Sequence, residues 1–183
     1  MKGVVFNLLQ EVVSRDYGEA VWDDLLDAAG LEGAYTSLGG YPDGDLIALV
    51  GAASSALDSP PDEIVRWFGR NALPLLAEGH SHFFAAHDSA RPFILTLNDI
   101  IHPEVRKLYP GADVPVFDFD AASDEVLVMG YASPRQLCSF AEGLIEGAAD
   151  HYGQTASIEH TRCMKLGDPK CVLEIAFGDA QGG

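Results

Sequence analysis

The sequence predicts an α+β fold in which a helical N-terminal half packs against a C-terminal half that combines an antiparallel sheet with a long helix. Three observations predict it. Through roughly the first 110 residues, apolar side chains recur at spacings of three and four, the period of a helix that buries one face. After Pro110-Gly111 the pattern changes to short apolar and alternating runs separated by polar turns. The resulting order is helices, two strands, a long helix and two more strands.

Val4, Val5, Leu8, Leu9, Val12 and Val13 mark the first helix, which Gly18 interrupts; Val21, Trp22, Leu25 and Leu26 mark a second, which Gly30 stops. After the turn-rich SLGGYPDGD, Leu46, Ile47, Leu49 and Val50 start a third. Ser59 is expected to cap a fourth, with Pro60 at its first position and Ile64, Val65, Trp67 and Phe68 along it. Residues 79–92 read as a loop or short helical turns, and Phe93 to Tyr109 as helix, with Pro103 forcing a kink or a restart just after His102. Val114 to Phe119 and Val126 to Tyr131 form a hairpin pattern. Ser133, Pro134 and Gln136 resemble a capped helix start, so the long helix is expected from there to about His151. Strands near Thr155–Thr161 and Cys171–Phe177 follow, joined by a turn at Gly167-Asp168-Pro169.

A chain of 183 residues is one domain by size and buries roughly 70% of its extended surface. No tract approaches eighteen apolar residues and the N-terminus lacks the pattern of a secretory signal, so the expectation is a protein with no membrane span. Against 11 Lys and Arg stand 28 Asp and Glu, a formal charge of −17, which repels nucleic acid and anionic lipid. Three cysteines cannot all pair with one another, which favours a reducing, cytoplasmic setting or a metal. There is no P-loop, dinucleotide fingerprint, nucleophile elbow or HExxH motif, and Glu142 and Glu146, on a helix expected to be solvated, need no catalytic role.

Six histidines are present. His80, His82 and His87 fit surface or rim positions, and His151 fits a helix C-terminus. His102 follows Leu95, Leu97, Ile100 and Ile101 and is pinned by Pro103. It reads either as a satisfied core or helix-end histidine, or as the neutral imidazole that an axial iron ligand requires. Tyr131-Ala132-Ser133-Pro134-Arg135 places two hydroxyls and a guanidinium where they can converge on an anionic group; the simpler reading is a capped helix whose Arg135 meets surface acids. His160-x2-Cys163 and Cys171 meet if their strands pair, and Cys138 on the long helix can close the set. One imidazole and three thiolates match a closed zinc site, and three buried or redox-idle thiols are the alternative.

Taken together, MKGVVFNLLQEVVSRDYG at the start, His102 within IIHPEVRKLYPG, and YASPR at 131–135 resemble the bacterial haem nitric oxide/oxygen-binding (H-NOX) domains, relatives of the sensory domain of soluble guanylate cyclase. The resemblance spans essentially the whole chain. It implies one sensor domain over residues 1–183, with haem b clasped between a helical subdomain of about residues 1–65 and an αβ portion of about 66–183. It further implies that His102 is the axial ligand to the haem iron, that Tyr131, Ser133 and Arg135 hold the propionates, and that Pro115 packs on the macrocycle. Val5, Leu9, Leu73, Phe140 and Leu144 become pocket-wall candidates. Members that hold oxygen look to use a tyrosine where this chain has Phe140, which cannot donate a hydrogen bond. The implied ligands are therefore nitric oxide and carbon monoxide, without a stable oxygen complex.

Nitric oxide binding is implied to weaken or break the iron–histidine bond and shift the two halves, a switch that a separate partner reads. A histidine kinase or a cyclic-di-GMP enzyme is the implied partner, since no output segment is evident. Some members carry the same His and three-Cys set, which implies structural Zn2+ at Cys138, His160, Cys163 and Cys171, with thiol oxidation as a secondary redox signal. Two alternatives compete. A haem enzyme acting on nitric oxide or peroxide needs distal acid–base groups or a thiolate push, which an apolar wall does not supply. A zinc-stabilised interaction domain without functional haem would leave His102 and YASPR unused.

Overall fold

A computed structural model describes residues 1–179 and has the predicted α+β architecture. Helix α1 (Gly3–Tyr17) buries Phe6, Leu9, Val12 and Val13 and ends at Gly18, whose φ of 95° other residues adopt only under strain. Helix α2 (Glu19–Ala29) buries Trp22 and Leu26, and α3 (Asp43–Leu57) buries Leu46, Leu49 and Val50. Helix α4 (Pro61–Gly79) starts one residue later than expected, with Pro60 in the N-cap position. A proline disfavours helical geometry in the residue before it, so Pro61 holds Pro60 extended at ψ 141°. Ser59 does not cap the helix; its hydroxyl donates to Glu63 Oε2 at 3.0 Å.

Two short helices, α5 (Ser81–Phe84) and α6 (Ala90–Leu95), fill the loop region. A π-helical turn over Leu97–Ile101 then leads into α7 (His102–Leu108). Ile101 N–H reaches Thr96 O at 3.1 Å, and His102 N–H reaches Leu97 O, both five residues back. Pro103 has no N–H with which to continue the α-ladder, and the expected kink takes this looser form.

Strands β1 (Val116–Asp120) and β2 (Val126–Ala132) pair antiparallel with Phe117 opposite Tyr131. After α8 (Cys138–His151), β3 (Gln154–Arg162) and β4 (Cys171–Asp179) complete a four-stranded antiparallel sheet in the order β1-β2-β4-β3. Helix α8 does not begin at Ser133 as expected. Ser133 O accepts Gln136 N–H at 3.0 Å, Gln136 takes a left-handed φ of 51°, and Leu137 N–H is spent on the Tyr131 hydroxyl at 3.0 Å. Residues 133–137 thus form a tight turn, and Arg135 lies in that turn, not in a helix.

Two buried clusters meet on α4. Ile64, Val65, Phe68 and Ala72 join the core of α1–α3, while Leu73 and Ala77 join the core between α8 and the sheet. Helices α4 and α8 approach backbone to backbone. A Cβ on Gly143 would lie 2.0 Å from Arg66 O, and one on Gly69 would lie 2.4 Å from Phe140 O. The expectation of a solvated α8 is overturned: apart from its ends it is largely enclosed, and Glu142 is only 7% exposed. Among the described residues no helix is long and apolar enough to cross a membrane.

Because backbone atoms cannot yield to a new methyl group, Gly143→Ala is expected to lower the unfolding free energy by about 3 kcal/mol. Gly51→Ala, in α3 with open space around it, is expected to raise it by about 0.5 kcal/mol. Urea denaturation of both variants checks the pair; equal effects would show that the α4–α8 contact tolerates a side chain.

Candidate functional site

A cavity of about 750 Å³ opens between α1, α4, the α6–α7 segment, the start of β1 and α8. Cofactor pockets typically enclose roughly 300–1,000 Å³. Val5, Leu73, Phe140 and Leu144 line it, as expected. Leu9 does not; it is buried in the helical core with Phe6 and Val13, and Leu8 is the residue of that turn that reaches the cavity. One residue is about 100° around a helix, so spacing of three and four left two adjacent stripes on α1 undistinguished.

The π-turn and Pro103 present His102 at the N-terminus of α7, in the cavity wall. Its ring stacks on Phe117, with centroids 5.4 Å apart and planes 25° apart. Burial, helped by the positive charge of Arg106, pushes the imidazole pKa down to about 4. No hydrogen bond contributes to that shift. The ring is therefore neutral near pH 7 and is the form able to ligate a metal. Pro115, on the segment leading into β1, lines the same cavity, and His80 reaches its rim.

Tyr131, Ser133 and Arg135 form a polar corner of the cavity. The turn that replaces the expected helix start brings them there. Ser133 Oγ accepts Arg135 N–H at 3.3 Å, and the Tyr131 hydroxyl, which accepts from Leu137, retains its own proton to donate. Arg135 donates through Nη1 to Asp113 O at 2.7 Å and Asp113 Oδ2 at 3.0 Å, and its Nε lies 2.9 Å from Asp43 Oδ2 without the alignment of a hydrogen bond. The other oxygen of Asp43 accepts the Met1 ammonium at 2.8 Å. Burial works to raise the Asp43 pKa, but these cationic partners outweigh it and hold the carboxyl below its ordinary value. Sequence reasoning missed Asp43, Asp113 and the Met1 amine. Asp43 opens α3 with no diagnostic spacing, and only tertiary contact joins it to Arg135.

A second cluster lies at the sheet end of α8. Single ligand atoms of Cys138, His160, Cys163 and Cys171 all fall within 4.8 Å of one another. The strand pairing does this, as expected, by setting the end of β3 against the start of β4 while α8 supplies Cys138. Asp168 Oδ2 accepts Cys163 N–H at 2.8 Å, and Met164 N–H donates to Cys171 Sγ at 3.3 Å, so the connecting turn is shaped around the sulfurs. His160 Nδ1 lies 2.7 Å from Glu142 Oε1, and its Nε2 is buried with no hydrogen-bond partner. An orphaned imidazole nitrogen beside three sulfurs is the donor set of a closed zinc site, whose edges measure about 3.8 Å for metal–sulfur bonds of about 2.3 Å. All three cysteines are free of disulfides, and burial, reinforced by Cys171, pushes the Cys138 thiol up to about 12.

The remaining histidines carry no such arrangement. His82 is exposed against Phe83, His87 lies near Phe93, and His151 ends α8 with its ring edge-on to Phe84.

Comparison with known proteins agrees with this geometry. A family model described as Haem-NO-binding matches residues 2–160. The crystal structure of an H-NOX protein from S. oneidensis in the Fe(II)NO ligation state superposes with a TM-score of 0.91 at 32% identity, covering 98% of this chain and all of that one. The solution structure of H-NOX from Shewanella woodyi in the Fe(II)CO ligation state gives 0.82 at 32% identity, covering 100% of this chain and 97% of that one. An H-NOX protein from K. algicida shares the fold, with a TM-score of 0.87 at 24% identity. With a family match across most of its length and these similarities over nearly all of it, the chain belongs to the haem-NO-binding, or H-NOX, family of non-catalytic sensor modules.

Proposed function

We propose that this chain is a haem-based nitric oxide sensor whose axial ligand is His102. The observation that carries the reading is a half-buried, neutral histidine facing an apolar cavity that also has one corner of anion-binding donors. Haem b, held by His102, would supply an iron that takes a diatomic ligand, and nitric oxide there would weaken or break the hold on His102. Every other part of the function falls to the protein. Phe117 and the π-turn fix the plane of the His102 ring. Tyr131, Ser133 and Arg135 receive the propionates, with Arg135 exchanging Asp43 or Asp113 for them, and Pro115 packs against the ring system.

Val5, Leu73, Phe140 and Leu144 keep water and hydrogen-bond donors from the ligand side, which disfavours oxygen because that ligand draws negative charge. The wall suits nitric oxide and carbon monoxide. His102, at the start of α7, would pass such a change to that helix, and movement of the helical portion against the αβ portion would be what a partner reads. We assign that partner to a histidine kinase or cyclic-di-GMP enzyme, working with this chain in the cytoplasm, where free thiols persist. Cys138, His160, Cys163 and Cys171 hold structural Zn2+, and oxidation of the thiolates provides a secondary redox signal.

The first reading is tested by anaerobic absorption spectroscopy of the reduced, haem-loaded protein. A five-coordinate ferrous Soret band that moves further to the blue with nitric oxide, and does not become a stable oxygen complex in air, is the expected result; failure to load haem stoichiometrically would overturn it. Phe140→Tyr is expected to give a measurable oxygen complex. For the metal, elemental analysis of anaerobically purified protein should find one zinc per chain, lost in Cys171→Ser. Zinc-free wild-type protein would sink the second site while leaving the first intact.

A further inference from the structure

We propose that Glu142, held in turn by Arg66, is the positioning residue of the metal cluster and ties that cluster to the helix that walls the large cavity. The inference rests on the zinc reading above and concerns groups that are not themselves ligands. Cys138 and Glu142 are four residues apart and so share one face of α8. From that face the Glu142 side chain, 10% exposed, reaches His160 Nδ1 through Oε1 at 2.7 Å and Arg66 Nη1 through Oε2 at 3.1 Å. Arg66 also donates to Glu146, at 2.6 Å from Nη2 and 3.1 Å from Nε.

A carboxylate accepting at Nδ1 selects the tautomer protonated there. The lone pair is then on Nε2, which is the buried nitrogen without a partner. The same contact fixes the ring's rotation, so Nε2 cannot swing away from the sulfurs. Arg66 makes the arrangement possible, because an ionised carboxylate this enclosed is costly without a compensating cation. Arg66 belongs to α4, which also sends Phe68 and Leu73 into the cavity wall, while Phe140 and Leu144 enter that wall from α8 on either side of Glu142 in sequence. A shift of the α4–α8 pair against β3 therefore reaches His160 through the Glu142 hydrogen bond, with the Arg66–Glu142 ion pair behind it.

The experiment uses the full haem-loaded chain and measures Zn2+ affinity by competition with a chromophoric chelator of known affinity, alongside Co2+ spectra. Glu142→Gln, which keeps the shape and removes the charge, is expected to weaken Zn2+ binding on the order of tenfold. Glu142→Ala should weaken it by about 10–100-fold and shift the visible Co2+ bands. Arg66→Met should give a smaller loss in the same direction. Arg70→Met is the control: it breaks the neighbouring α4–α8 pair with Asp150, at 2.6 Å, without touching His160, and should leave Zn2+ affinity unchanged. If Glu142→Ala does not fold, Glu142→Gln carries the test. Wild-type affinity in both Glu142→Gln and Arg66→Met, with one zinc still bound by the unmodified chain, would overturn the inference and spare the zinc reading. An unmodified chain that binds no zinc would overturn both.

Discussion

The close contact of α4 with α8 is the constraint on which the rest of the structure depends. Gly69 and Gly143 allow it, since a side chain at either position would collide with backbone. With glycine at the points of closest approach, backbone meets backbone and the two helices pack as one plate. Helix α4 contributes to both hydrophobic clusters, so the plate joins the helical portion to the αβ portion. Both candidate sites are built on it: Leu73, Phe140 and Leu144 face the cavity, while Cys138 and Glu142 face the cysteine cluster. The pairs Arg66–Glu146 and Arg70–Asp150 run along its margin, and their exposure makes them markers of register more than sources of stability.

Opposite that plate, the segment carrying His102 is built more loosely. Leu97–Ile101 is π-helical, contains no fully buried residue, and is tethered to β1 by Asn98 Nδ2 donating to Phe117 O at 2.8 Å. π-Turns are rare and occur frequently at functional sites. The cavity thus has a close-packed α4–α8 wall on one side and, on the other, a π-turn with no buried residue.

How much of this was legible beforehand follows from which forces were local. The four long N-terminal helices show in the sequence because burial of one face imposes its own period, and the hairpin shows because Val114–Phe119 and Val126–Tyr131 bracket a polar run. The cluster of Cys138, His160, Cys163 and Cys171 follows from strand pairing, a regular geometry. The misreadings lie where two local signals compete. Ser133-Pro134 looks like a cap, yet the Tyr131 hydroxyl takes Leu137 N–H and the left-handed Gln136 delays the helix to Cys138. Pro60 looks like a first helical residue until Pro61 is counted. Glu142 looked solvated because glutamates usually are, and nothing in the chain order announces that Arg66 and His160 will meet it. Asp43 escaped for the same reason, being paired to Arg135 and the Met1 amine only through tertiary contact.

The two candidate sites also differ in what burial does to them. Burial favours the neutral form of any titratable group. For His102 the neutral form is the one able to ligate a metal, so the force that packs the ring on Phe117 also keeps it in that form. For Cys138 the neutral form is the thiol, which ligates poorly, and the same force pushes its pKa up to about 12. A metal entering the cysteine cluster must displace protons that the fold would otherwise keep, so its binding is coupled to proton release and to local order in a way that binding at His102 is not. The cavity is therefore preorganised by folding alone. The cysteine cluster is preset only in part, by the Glu142–His160 hydrogen bond and by the turn contacts at Cys163 and Cys171.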